Sequence, residues 1–169
     1  SSSYRFDNSR NDSVKTGEIG VRAKLKTGTV DHTLSASANG FKQDSENAYA
    51  FSSFAGFSNN LYKPVNVTAP AANYFTGGDL DNPLVTEKVK SSSFAVTDSL
   101  SMMDGKVLAT VGARHQKIEN YAYNYDTGAE TSAYSKSAVT PIAALVYKVS
   151  PQVSLYGNYS EGLTKGDVA

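Results

Sequence analysis

The sequence has no cysteine and no tryptophan, and its 16 basic residues are balanced by 16 acidic ones. Without cysteine there is no disulfide framework, no iron–sulfur cluster and no thiolate zinc site. The charge balance leaves no field that would steer a polyanion, so nucleic acid is not an expected partner. No run of about 18 apolar residues exists, and short pieces such as "IAALVY" are the longest, which excludes a membrane-spanning helix. A membrane crossed by strands is not excluded. Such a strand needs only about 10 residues with every second one apolar, a pattern that averages to a negative mean hydropathy. The opening "SSSYRFDNSR" has no basic region followed by an apolar stretch, so the chain reads as mature or as part of something larger. The motifs G-x-S-x-G, H-E-x-x-H, G-x-x-x-x-G-K and G-x-G-x-x-G are missing too, so no enzyme is expected and no catalytic residue is assigned.

What the chain does contain is alternation. In "GEIGVRAKLKTG", Ile19, Val21, Ala23 and Leu25 fall on one face, with Arg22, Lys24 and Lys26 on the other. After a tight turn at 26–28, Val30, His32, Leu34, Ala36 and Ala38 continue the apolar side. The pattern returns in "SFAVTDSLSMM", turns at Asp104–Gly105, and runs through "GKVLATVGARHQKIENYAY". There Val107, Ala109, Val111 and Ala113 oppose Thr110, Gly112, Arg114 and Gln116, and His115 falls with the apolar set. "AYSKSAVTPIAALVYKVS" and "VSLYGNYSEG" complete a set of about seven strands, with Pro141 marking a weak point or a bulge. The fold class is therefore all-β, an antiparallel up-and-down meander.

The connections are asymmetric. Turns at 26–28, 103–105 and 150–152 are minimal, whereas those at 7–16, 44–90 and 124–133 read as long loops. Short turns on one side and long loops on the other characterise outer-membrane barrels, and Tyr121, Tyr123, Tyr134, Tyr147 and Tyr159 sit where an interfacial aromatic girdle would lie. The 44–90 segment is too long for an idle connection and too aromatic for plain disorder, carrying Tyr49, Phe51, Phe54, Phe57, Tyr62, Tyr74 and Phe75.

Several stretches together resemble the barrel of TonB-dependent siderophore receptors: "TGTVDHTLSASANGFKQ", "NLYKP", "FAVTDSLSMMDGKVLATVGARHQKIENY" and "TPIAALVYKVSPQVSLYGNYSEG", in that order. The likeness covers most of the chain outside 44–90, and its last two hairpins are the most specific. The resemblance implies a 22-stranded transmembrane barrel, of which residues 1–169 would be a partial region of about a third, with 44–90 as an extracellular-type loop. It also implies a ferric siderophore as transported ligand, energy delivered by the TonB complex through an N-terminal plug region not seen in this sequence, and outer-membrane lipid around the wall. No cofactor is expected beyond the transported iron chelate.

Within that frame, aromatic rings can hold a chelate by stacking and apolar burial while a cation offsets its charge. Phe51, Phe54, Phe57, Tyr62, Tyr121 and Tyr123 are the candidate ligand contacts, with Arg114 contributing from the lumen wall. The bland reading of each is girdle or loop packing. His32 and His115 are too far apart in sequence to suggest a metal site, and Asp79, Asp81 and Glu87 lack calcium-loop spacing, so no metal is assigned. Two rival readings remain: a soluble β-sandwich adhesin or carbohydrate-binding module, and a passive porin-like barrel. The sandwich would pack large side chains on its inner faces; here those positions are mostly Val, Ala and Leu.

Overall fold

A computed structural model describes residues 2–164 and 166, and contains no helix among them. Six long or medium strands form the wall: β2 (Phe6–Thr27), β3 (Val30–Phe51), β6 (Val85–Met102), β7 (Val107–Tyr123), β8 (Glu130–Ser150) and β9 (Val153–Ser160). Three short ones, β1 (Ser2–Ser3), β4 (Phe57–Ser58) and β5 (Phe75–Gly77), belong to its longest connection and its start. The main sheet is seven-stranded in the order β2-β3-β6-β7-β8-β9, with β5 paired to β3; β1 and β4 form a separate pair. Each strand lies beside its neighbour in sequence apart from the insertion of β4 and β5, which is the meander that the alternation predicts.

The turns follow backbone chemistry. Gly28 takes φ 61° between β2 and β3, and Met103, Asp104 and Gly105 take φ 54°, 53° and 77° between β6 and β7. Three successive left-handed residues reverse the chain sharply, and glycine is the one residue of the three that adopts this region without steric cost. β8 and β9 pair with Ala143 opposite Tyr159, Leu145 opposite Gly157 and Tyr147 opposite Leu155, and the register shifts between Lys148 and Ser150. β8 runs through Pro141 unbroken. Its pairing with β9 ends at Ile142, one residue short of the proline that lacks an N–H to donate.

Two of the expected loops are strands. Residues 7–16 lie inside β2, and the segment 44–90 begins as β3 and ends as β6, so the connection is only 52–84 and itself carries β4 and β5. The "SSSYRF" strand accordingly divides between β1 and the start of β2. The reason lies in what the two faces carry. Along 7–16 both faces are largely exposed, and along 44–51 small and polar residues are buried beside half-buried ones, so neither segment has an apolar period, yet the ladder still forms and polar side chains help to zip it. Asn8 Nδ2 donates to the Ala48 carbonyl at 3.1 Å, Asn11 Nδ2 to Glu46 Oε2 at 2.9 Å, Asn47 Nδ2 to Thr86 Oγ1 at 2.7 Å and Asn120 Nδ2 to Glu87 Oε1 at 3.0 Å.

The chain divides into two compact units. One is built on Ser1–Val14, Gln43–Lys88 and Asn120–Ala133, the other on Lys15–Lys42, Val89–Glu119 and Tyr134–Ala169. In the second, the apolar face is uncovered: Ile19 is 74% exposed, Val21 71%, Val111 51% and Leu155 62%. Ile19, Val21, Ala36, Ala38 and Phe94 share one shallow groove, and Ala109, Val111, Ala143, Leu145 and Tyr159 another, so the strands present their apolar sets on a common side. Among the described residues the buried apolar side chains are Ala48, Ala50 and Ala95 alone. A sandwich would bury large residues between its sheets; this sheet buries small ones and leaves its Val, Ile and Leu outward. On the β6–β7 face that carries Thr110, Ser99 Oγ and Thr110 Oγ1 meet at 3.0 Å. His32 Nδ1 lies 2.8 Å from Asp98 Oδ2 in a half-buried pair, and among the described residues no cluster of three possible ligands occurs.

Candidate ligand-binding site

The first unit gathers aromatic side chains from β2, β3, β5 and the loops around them. Alternation along β3 places Tyr49 and Phe51 on one side, two residues apart. Phe75 of β5 stands directly opposite Phe51, and Gly77 opposite Tyr49. Phe51 is the hub: its ring centroid is 4.5 Å from Phe6, 5.5 Å from Phe54, 5.9 Å from Tyr49, 6.0 Å from Tyr4 and 6.2 Å from Phe75. Tyr125 closes one flank edge-on to Tyr49 at 5.1 Å, and Tyr74 closes the other, perpendicular to Phe54 at 6.0 Å. Tilted and edge-to-face pairs at these separations each contribute about 0.5–1.5 kcal/mol beyond burial.

Backbone bonds hold the rings in place. Ser52 N donates to the Arg5 carbonyl at 2.9 Å while Arg5 N donates to Ser52 Oγ at 2.9 Å, fixing Tyr4 and Phe6 beside Phe51. Tyr74 N donates to the Phe51 carbonyl at 2.9 Å. At Gly77 the Tyr49 ring sits where a side chain would begin: a Cβ there would lie 2.5 Å from Tyr49 Cε1. Gly78, at φ 76°, donates its N–H to Asp126 Oδ1 at 2.8 Å, tying β5 to the 124–129 loop. That loop is itself preformed, with Asn124 Oδ1 accepting from Asp126 N and Thr127 N. Asp126→Ala should therefore loosen Tyr125 from Tyr49 and raise backbone exchange at Gly78 by about tenfold, as read by hydrogen–deuterium exchange on the full-length chain.

Five of these rings stay open to solvent: Tyr4, Phe6, Phe54, Tyr74 and Phe75 are each more than half exposed. Together they form an apolar platform with phenolic edges, able to stack on flat groups of a ligand. Nearby charge is locally balanced. Arg5 Nη2 pairs with Asp7 Oδ2 at 2.8 Å, and the hydrogen bond and charge of Asp7 raise the guanidinium above its ordinary, already high pKa.

Of the sequence candidates, Phe51 and Phe54 stand together in the platform. Tyr62 does not join them: it is 92% exposed at the tip of a turn stapled by Asn59 and Asn60, whose side-chain oxygens accept from the backbone N–H groups of residues 60, 62, 63 and 65. The side chain of Phe57 lies outside what is described. Tyr121 and Tyr123 end β7, where Tyr123 carries Lys88 Nζ 4.9 Å above its ring. Arg114 is exposed in the second unit, and its carbonyl accepts from Thr140 Oγ1 at 3.4 Å. Tyr4, Phe6, Tyr49, Tyr74, Phe75 and Tyr125 are platform residues that the sequence did not single out as contacts. The i, i+2 spacing of Tyr49 with Phe51 carries the signal once that segment is recognised as strand, whereas Tyr4 lies in the link between β1 and β2.

Comparison with known proteins agrees with this architecture. The chain is 33% identical over 160 residues, 94% of its length, to the ferrichrome receptor FcuA of Yersinia enterocolitica, of which it covers 20%. Its fold superposes on BauA, the ferric preacinetobactin receptor of Acinetobacter baumannii, with a TM-score of 0.69 and 28% identity, covering 96% of this chain and 23% of that one. The unliganded ferric citrate transporter FecA shares the fold at a TM-score of 0.63 and 17% identity, over 92% of this chain and 21% of that one. The chain thus spans about a fifth of the relatives it matches. The family model described as "TonB dependent receptor-like, beta-barrel" matches residues 1–167, and the chain belongs to that family.

Proposed function

We propose that this chain is part of the wall of an outer-membrane receptor that binds a ferric siderophore at its extracellular side and imports it with energy delivered through TonB. The family match over nearly the whole chain is the observation that carries this reading. The uncovered apolar face supports the membrane setting, because a barrel wall directs alternate side chains into lipid. The aromatic platform supports a ligand with flat chelating groups. The function proposed is capture and translocation, without covalent chemistry. Ferrichrome, named for one relative, is the first ligand to try.

The test is uptake of radiolabelled iron by cells lacking the parent receptor, with and without the gene restored. Import of ferric ferrichrome or ferric preacinetobactin that needs both the gene and a working TonB complex supports the reading. Full-length receptor that restores import of neither of these nor of ferric citrate, while standing folded in the outer membrane, contradicts it.

Arg114 is assigned to the lumen wall and His115 to the lipid side, by alternation from Thr110 and Val111. In the parent receptor, Arg114→Ala should lower uptake by about tenfold, the loss of one charge-assisted contact, while His115→Ala leaves it within about twofold. Equal losses in the same uptake assay would overturn the assignment.

A further inference from the structure

The side of β2 that brings Phe6 into the aromatic platform continues as a charged surface. Phe6, Asn8, Arg10 and Asp12 stand two apart on one strand and share a face. Arg10 Nε donates to Asp12 Oδ2 at 2.9 Å, and at 54% and 35% exposure both side chains remain open to a ligand. The hydrogen bond and charge of Asp12 raise the Arg10 guanidinium above its ordinary, already high pKa; Glu87 and Tyr125, a ring of the platform, push it the same way. Asp12 is fixed in turn. Hydrogen bonds from Ser45 and Arg10 hold its carboxyl below the usual carboxylate range, so it stays ionised at neutral pH. Gln43 Nε2 donates to Ser45 Oγ at 3.2 Å, which leaves the Ser45 hydroxyl hydrogen for Asp12. Glu87 accepts from Asn120 Nδ2 at 3.0 Å, a bond to a neutral amide that cancels no charge.

Beside the rings, then, one guanidinium serves two carboxylates. The rest of the first unit leans the same way: its three segments hold nine Asp and Glu residues against four Lys and Arg. Of those four, Arg5 is paired with Asp7, Arg10 with Asp12, Lys88 lies over the Tyr123 ring, and Lys63 is carried on the 59–65 turn. An anion brought to the platform meets like charge, and the guanidinium on that face is already engaged. Uncharged and cationic ligands meet no such barrier. Iron chelates fall into all three classes. Ferric iron held by three singly charged hydroxamates is uncharged, a pendant ammonium makes such a complex cationic, and catecholate and citrate complexes are anions.

We propose that Asp12, with Glu87, sets the charge class of the ligand: by holding Arg10 it restricts the platform to ferric chelates without net negative charge, the class to which tris-hydroxamates belong. The inference rests on the siderophore reading above and narrows it from iron chelates in general to one charge class with a named selecting residue.

The experiment measures equilibrium binding of four iron chelates to the purified full-length receptor: uncharged ferrichrome, cationic ferrioxamine B, and anionic ferric citrate and ferric enterobactin. Wild-type receptor should bind the better of the first two at least about tenfold more tightly than either anion. Asp12→Asn releases Arg10 and should cut that preference by about tenfold, whereas Asp12→Glu should keep it. Adding Arg10→Gln to Asp12→Asn should restore the preference, because the released cation is then gone. Glu87→Gln should shift the ratio in the same direction as Asp12→Asn, by a smaller factor. A purely structural role for Asp12 would weaken all four chelates alike and leave the ratio unmoved, which would overturn the proposal. If Asp12→Asn does not fold, Glu87→Gln decides, and an unchanged ratio there overturns it equally. A wild type that binds an anion most tightly overturns the charge class while keeping the siderophore reading; one that binds none of the four overturns both.

Discussion

Replacing Gly112 by valine should prevent the receptor from assembling. A Cβ at this position would lie 2.4 Å from the Val96 carbonyl oxygen and 2.9 Å from Thr97 Cα, so the obstacle is the backbone of the neighbouring strand and no rotamer relieves it. Relief requires β6 and β7 to move apart, which breaks ladder bonds in the middle of a long hairpin whose turn is already committed to three left-handed residues. Even alanine should cost about 3 kcal/mol, and valine more. The readout is the folded band of the full-length receptor on an unheated gel, together with its urea midpoint. Gly17→Ala is the control, since its Cβ would meet nothing within 4 Å, and it should leave both unchanged.

The second large effect is expected at Phe51. Its ring touches five others, drawn from the β1–β2 link, β2, β3, β5 and the residue 54 turn, so removing it opens the centre of the platform and not merely its edge. Phe51→Ala in the full-length receptor should weaken ligand binding by about thirtyfold, near 2 kcal/mol, while Phe51→Tyr stays close to wild type. The more exposed Tyr62, carried on its own turn away from the rings, serves as the contrast: Tyr62→Ala should weaken binding by less than about threefold. A larger loss at Tyr62 than at Phe51, measured by titration of the same ferric ligand, would move the contact surface to the 58–65 turn.

How far the fold could be read from sequence depended on what each strand segment faces. Where one side meets an apolar phase, as in Ile19, Val21, Leu34, Val111 and Leu145, alternation is plain and the strand is legible. Where both sides are largely exposed, as along 7–16, or where buried positions hold Ser and Ala among polar residues, as along 44–51, the residues carry no apolar period, and the strand passes for a loop. The tight turns at Gly28 and Gly105 were legible because positive φ demands particular residues. The platform was half visible. Phe51 and Phe54 stood out as loop aromatics, but their assembly with Tyr4, Phe6 and Tyr125 depends on pairings between segments more than forty residues apart in sequence, such as Ser52 N to the Arg5 carbonyl. No local spacing encodes a contact of that range. The Gly77 and Gly78 pair was equally silent, since its role follows from a ring on another strand and a carboxylate in the 124–129 loop.

The central claim is that this wall belongs to a receptor whose aromatic platform recognises an iron chelate. Its most direct test is equilibrium binding of ferric ferrichrome and of iron-free ferrichrome to the purified full-length receptor, with Phe51→Ala alongside, followed by intrinsic tyrosine fluorescence. The account predicts saturable binding that favours the ferric form and is weakened in the variant. Binding that ignores iron loading, or is indifferent to Phe51, would contradict it.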